Sequence, residues 1–464
     1  MFKNIFVLFF IISFVFTFSA CDNQPQQEKG TEEAIMPDET LKTDLKGEAF
    51  IILQDTPLLG SFRYKEETLF ADEALKRMND TALTLNCTLT LQELAGGYSG
   101  AAQTIISDAA AGDAKGDIYY GDSAGIVSAA MGGGLLPLND VSEIIDFNDT
   151  AKYGTANLLE MMMFESVPYA VVPAYWPDRL PGISELLVVN NDIVIEKLGF
   201  PDMREYIENK TWDWTKFEEM IKACTFDDNG TQIYGIAIDK PILAELAILN
   251  NGAKLVTEED GLYATELTSE KTIDALTWTA KLFTDYKDCF AIGTVTDAFL
   301  NNKAAIGAMS NWFIMSDIIY KFDNYSIMPF PTGPKADSFD DWKTRYTSHV
   351  GVGILLNSND TTASAYIINE LLKPLDSFPT QDSLKNYYAN QVFFDKRDAD
   401  ILFKTAENTV YDYNRVGGYA IFESIGANIL SKSPAELIDT YISKFNTVLE
   451  EYVVPNYEYM SSHQ

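Results

Sequence analysis

Apolar and polar positions alternate between two periods along most of this chain. Ala49-Phe50-Ile51-Ile52-Leu53 is a continuous apolar run between polar residues, the pattern of a strand covered on both faces, while Cys87, Leu89 and Leu91 alternate with Thr88, Thr90 and Gln92 as in a second strand. Between them Ala71, Leu75 and Met78 fall at helical spacing, and after them Ala102, Ile105, Ile106 and Ala109 form an i, i+3, i+4, i+7 stripe that Gly112 stops. Gly116-Asp117-Ile118-Tyr119-Tyr120 then opens another short strand. A β-α-β-α-β order implies a parallel sheet with helices on its faces. Ligands of open sheets bind beyond the carboxyl ends of the strands, which directs attention to Gln54-Asp55 and to Gly121-Asp122-Ser123.

A second α/β unit is expected from near Pro173. Glu185-Leu186-Leu187-Val188-Val189 reads as a strand, and Asp213 reads as the N-cap of a helix whose entry is stapled by Trp212 on Phe217. Phe217, Met220, Ile221 and Cys224 continue that helix's buried stripe, and Asp227-Asp228-Asn229-Gly230 reads as a turn rather than a calcium loop, since its spacing does not match an EF-hand. Ile273, Leu276, Ala280 and Phe283 mark a further amphipathic helix. Ser433-Pro434-Ala435-Glu436 is a capping box with proline at N1, opening a helix striped by Ile438, Tyr441, Ile442, Phe445 and Leu449.

The N-terminus has a different pattern. Ile5 to Ala20, behind Lys3, is an apolar run shorter than the ~20 residues a permanent membrane helix needs, as in a secretory signal. It ends in Phe18-Ser19-Ala20-Cys21, which resembles the bacterial lipobox, so residues 1–20 are expected to be a lipoprotein signal peptide and Cys21 the lipidated N-terminus of the mature chain. Two acyl chains suffice for stable anchoring. Residues 21–47 are polar, as in a flexible tether, and folded structure is expected from about Glu48.

Composition narrows the function. The 464 residues exceed the usual size of one core, so two domains are expected. With 34 Lys plus Arg against 68 Asp plus Glu, the net charge of −34 opposes any nucleic-acid partner. Only His349 and His463 occur, which leaves little for a multi-histidine metal site, and the cysteines beyond Cys21 (Cys87, Cys224 and Cys289) lack C-x-x-C spacing and are expected as buried thiols. No metal and no cofactor is expected. An enzyme, such as a lipid-anchored glycosidase, would need a carboxylate pair of defined separation; no nucleophile elbow, P-loop or HExxH motif is present.

Six segments in order carry a resemblance: GDIYYGDSAGIVSAAMGGGLLPLND at 116–140, 167–201 with its VPYAVVP and ISELLVVNNDIVIEKLGFP, TWDWTKFEEMIKACTFDDNGTQIYGIAI at 211–238, FLNNKAAIGAMSNW at 299–312, YSIMPFPTGP at 325–334 and HVGVGILLNSNDTTASAYIINELL at 349–372. Together they resemble the extracytoplasmic solute-binding proteins of ABC importers, of the carbohydrate type that includes maltose-binding protein. The resemblance implies an α/β fold of two lobes, each a mostly parallel sheet flanked by helices, with a ligand cleft at a hinge the chain crosses several times. Lobe I would hold 48–170 with 352–398, and lobe II 171–351 with 399–464. It also implies capture by hinge closure and delivery to the permease's transmembrane subunits by a monomer held at the outer face of the cell membrane through its lipid alone. A membrane receptor's ligand sensor is the alternative within the same fold.

The implied solute is a sugar or oligosaccharide, with polyamines open and anionic solutes disfavoured by the charge. A sugar ring pairs apolar C–H faces with a hydroxyl rim, which suits an aromatic platform beside carboxylates and amides. Trp312 (otherwise a core tryptophan) and Asn311, at the end of the Ala304 to Met309 strand, are candidate contacts, as are Asp122 (otherwise a helix cap), Tyr175 and Trp176 (otherwise hinge packing), Asp55 (otherwise a turn acid) and Tyr98 (otherwise part of a glycine turn). Arg345, Tyr346 and His349 precede the second crossing, where any one could face the ligand or form a salt bridge or hinge packing.

Overall fold

The computed structural model describes residues 43–55, 71–113, 115–154, 156–173, 185–259, 262–346, 349–411 and 420–462. Two five-stranded sheets organise them. The first runs Thr88–Glu93, Ala49–Gln54, Ile118–Asp122, Val350–Ile354, Ala170–Val171, and the second Tyr325–Met328, Leu186–Asn190, Ala304–Met309, Thr231–Ala237, Phe226–Asp228. Both are mixed. In the first sheet the three strands joined through helices are parallel, whereas Val350–Ile354 runs antiparallel to both its neighbours. In the second only Ala304–Met309 and Thr231–Ala237 are parallel. This corrects the expected mostly parallel sheets. Helical crossovers produce parallel neighbours, but Leu186–Asn190 follows a strand of the first sheet and Val350–Ile354 follows the last strand of the second, so each enters its sheet against the grain. A hairpin turn at Asn229-Gly230, both at positive φ, adds another antiparallel pair.

Most local signals lie where the pattern puts them. Asp213 accepts the Lys216 N–H and Trp212 meets Phe217 edge-on at 6.1 Å, Gly112 ends its helix at φ 70°, and Ser433 and Glu436 close a capping box on Pro434–Val448. The first helix, Ala71–Leu85, departs from its pattern. It buries Ala74, Arg77, Thr81 and Leu85 and leaves Leu75 38% exposed, and from that buried face Arg77 donates to the Pro374 carbonyl at 2.5 Å.

Strand alternation divides the cores. Leu187 and Val189 pack with Trp212, Phe217 and Phe445, whereas Leu186 and Val188 join a cluster that also holds Phe50, Ile52, Ile118 and Ile354 of the first sheet. The third large cluster lies on the other face of the first sheet, around Leu53, Ile105, Tyr119 and Ile126.

Candidate functional site

The parallel strands of the first sheet bring Gln54, Asp55 and Asp122 to one end. Asp55 is 1% exposed, and its Oδ2 accepts from the Tyr119 hydroxyl at 2.9 Å and from the Asp122 N–H at 2.8 Å. Burial, and then the Asp55 charge, push the Tyr119 hydroxyl far above its ordinary range, so it remains a donor at any physiological pH. The Asp122 carboxylate caps helix Ser123–Met131 by accepting the Ala124 N–H at 2.8 Å. Gly125 is needed here: a Cβ would sit 2.6 Å from the Tyr119 oxygen, 3.2 Å from Tyr98 Cβ and 3.3 Å from Asp55 Oδ2. Tyr98 stands over this cluster half exposed, on the first turn of Gly97–Ala111, after Gly96 at φ 90°.

In the second sheet, Ala304–Met309 is buried throughout and exits into Ser310, whose hydroxyl accepts the Phe313 N–H at 3.3 Å. The turn buries Asn311 and projects Trp312 outward, 48% exposed, so Trp312 is not a core residue. Met309 pairs with Leu186 and Met328 with Leu187, so the segments after both strands emerge at this same end. The structure thus gathers Asp55, Asp122 and Tyr98 at the end of one sheet and places Asn311 and Trp312 at the end of the other.

Arg345 has a different setting. Its guanidinium is buried between Glu185, with Nε 2.8 Å from Oε2, and the fully buried Glu245, with one terminal nitrogen 2.5 Å from Oε2. The Thr344 hydroxyl also donates to the Glu185 carbonyl at 2.6 Å, so this cluster ties strand Thr344–Tyr346 to the segment entering the second sheet. His349 is buried, its Nδ1 3.1 Å from the Val350 carbonyl. Tyr175, Trp176 and Cys21 lie outside the described residues.

Sequence reasoning marked Gln54 as part of the first strand's carboxyl end but not as a contact residue. It ends the first strand 2% exposed, with Nε2 buried and without a partner among the described residues; Asn311 is 6% exposed with Oδ1 in the same condition. Its signals were a polar residue closing an apolar run and its place at the carboxyl end of that strand. Two cavities, of about 240 Å³ beside Leu255, Lys343 and Tyr411 and about 380 Å³ beside Trp214, Trp278 and Phe339, contain none of the expected contacts. Among the described residues no cluster of His, Cys, Asp or Glu could hold a metal ion, and no helix is long and apolar enough to cross a membrane.

Two mixed sheets flanked by helices, with polar and aromatic residues at the strand ends, define a periplasmic-binding-protein-like α/β fold. It matches a substrate-binding protein of an ABC transporter from Listeria monocytogenes in complex with cycloalternan (TM-score 0.57, 15% identity, 87% of this chain and 99% of that one). It also matches the sugar-binding protein MalE from Xanthomonas citri (0.59, 14%, 87% and 98%) and UgpB from Mycobacterium tuberculosis in complex with glycerophosphocholine (0.58, 18%, 87% and 99%). No curated protein matches the sequence. Residues 81–366, more than half of the chain, match the bacterial extracellular solute-binding proteins, and the chain belongs to that family, one of binding proteins rather than enzymes.

Proposed function

We propose that this protein captures a sugar or oligosaccharide outside the cell and delivers it to the transmembrane subunits of an ABC importer, held to the membrane by lipid on Cys21. In this reading the two sheets are the centres of two lobes, 48–170 with 352–398 and 171–351 with 399–464, whose strand ends face each other across a cleft. A ligand touching both lobes makes its full set of contacts only in the closed state, whose population therefore rises with ligand.

The observation that carries the reading is Trp312. A large apolar ring half exposed just beyond a fully buried strand is a platform that a sugar's C–H face fits. Asp122, Asp55, Asn311 and Tyr98 supply hydroxyl partners, Tyr175 and Trp176 a further aromatic wall, and Arg345 acts from beneath through its ion pairs. The solved relatives that bind cycloalternan and sugars support a carbohydrate; the one holding glycerophosphocholine shows that the fold also serves other solutes.

The test is a thermal-shift screen of a soluble chain starting near Lys46 against neutral sugars. A cognate sugar at a hundredfold excess over Kd stabilises by roughly 2.7 kcal/mol and makes the protein more compact in solution scattering. Stabilisation by none of the sugars, or sugar turnover without retention, removes the proposal.

A further inference from the structure

Two segments that hold a cysteine share one edge of strand Thr231–Ala237. Its other edge is taken by Ala304–Met309 as far as Ala237. On the shared edge, Phe226 lies opposite Ile233, and further along Phe290 lies opposite Ile236, with the Ala291 N–H donating to the Ile236 carbonyl at 2.8 Å. Between these pairs the Gly235 N–H donates to the Thr225 hydroxyl at 3.0 Å. The residue before Thr225 is Cys224, which ends helix Trp214–Ala223, and the residue before Phe290 is Cys289. Both segments therefore come together beside Gly235. The helix end presses closely on the strand there, since a Cβ on Gly235 would sit 1.9 Å from the Ile221 carbonyl oxygen. Cys224 and Cys289 are both buried, in one apolar cluster with Ile221, Ile233, Ile236 and Phe290. Burial, and beyond it the nearby Cys289, push the Cys224 thiol up to about 12.

We propose that Cys224 and Cys289, thiols in this structure, are joined by a disulfide in the protein that works outside the cell. This rests on the extracellular reading above and is independent of which solute is bound. Disulfides form and persist in oxidising compartments. The oxidant is a disulfide, on an exported thiol oxidase or on a small molecule. One cysteine thiolate attacks it, the second thiolate displaces the mixed disulfide so formed, and the oxidant leaves as two thiols carrying the two electrons and two protons. Only the thiolate reacts, and in the folded protein Cys224 is buried and almost wholly protonated at neutral pH. The bond therefore closes while the exported chain folds, before the thiols are covered. It ties the end of Trp214–Ala223 to the segment after helix Glu270–Asp285, closing a long loop that contains Thr231–Ala237 and Lys240–Asn250. Closing a long loop removes much freedom from the unfolded chain. Cys87, half-buried just before strand Thr88–Glu93 of the first sheet, stays a thiol.

The alternative is two core thiols in packing contact, and the two cases differ in covalent state. The full-length protein is taken from the membrane fraction of a bacterium that exports it, unfolded in urea with iodoacetamide and without reductant, digested, and read by mass spectrometry. The expected result is one species joining the Cys224 and Cys289 peptides, two hydrogens lighter than the sum of their thiol forms, with Cys87 alkylated. Melting the same protein with dithiothreitol lowers its melting temperature and leaves that of the Cys224→Ala, Cys289→Ala double variant unchanged. Cys224 and Cys289 both alkylated in the exported wild type overturns the disulfide and leaves the transport reading standing, since sugar retention does not require the bond. A joined pair in a protein that retains no sugar overturns the transport reading and leaves the disulfide standing.

Discussion

Trp312 owes its position to its neighbours. Ser310 caps the turn and Asn311 is drawn inward, so the next side chain points away from the protein, with Phe313 6.4 Å from its ring. Trp312→Ala therefore lowers the unfolding free energy by much less than the ~3–5 kcal/mol of a deleted core tryptophan. It weakens sugar binding by about ten- to a hundredfold, roughly 1.4–2.8 kcal/mol. Denaturant unfolding and calorimetric titration of the one variant check both; an unchanged Kd removes Trp312 from the site. Asp122 was read as either ligand acceptor or helix cap, and the structure shows the cap through Oδ1. Arg345 could not be placed from its sequence neighbours, since Glu185 and Glu245 lie 160 and 100 residues away.

At the scale of elements, helix Lys396–Glu407 is locked to strand Tyr325–Met328 by a buried charge cluster. Asp398 accepts the Ile327 N–H at 2.8 Å and a bond from Arg204 at 2.9 Å, while Arg204 is also held by Asp202, and Arg397 bridges Asp202, Asp395 and Glu208. Burial pushes the Asp398 carboxyl up to about 7 against the pull of Arg204 and the Ile327 amide. Burial works against the Arg204 charge too, but Asp202 and Asp398 hold that guanidinium protonated, so Asp398 is the member that titrates. Its folded value lies above the unfolded 3.8, so the folded state holds the extra proton. The stability this provides is complete below about pH 4 and lost as pH rises through 7. Asp398→Asn keeps one acceptor oxygen, for the Ile327 N–H, puts an NH2 where Oδ2 meets Arg204, and removes the titrating proton, so it adds a pH-independent cost but no pH dependence. The stability difference between wild type and Asp398→Asn, from urea unfolding at pH 5 and pH 7.5, should shift against the wild type at the higher pH; a difference constant with pH contradicts this account. The helix itself carries Asp395 as N-cap, a signal readable in the sequence, but its partner strand was not. On Ala71–Leu85 too the partner is distant: Arg77, on the buried face, donates to the Pro374 carbonyl.

At the scale of the whole molecule, the described chain enters the first sheet through Leu45, Gly47 and the strand start at Ala49, the end of that strand opposite to Gln54 and Asp55. Cys21→Ser should free the protein from the membrane fraction or leave it as unprocessed precursor, because no acyl chain can be attached. Mature protein that still sediments with membranes rules the lipid anchor out. What the sequence alone determined was everything set by near neighbours: strands and helices from their periods, the caps at Asp213 and Ser433, the stops at Gly112 and Gly230, and the family through six short segments in order. Tertiary structure alone decided which strands lie side by side and in what sense, that Arg345 answers two carboxylates, and that one side-chain amide atom of Gln54 and of Asn311 is buried without a partner among the described residues. Those facts depend on groups a hundred or more residues apart, or on the absence of any group at hydrogen-bond distance, and neither leaves a trace in local periodicity.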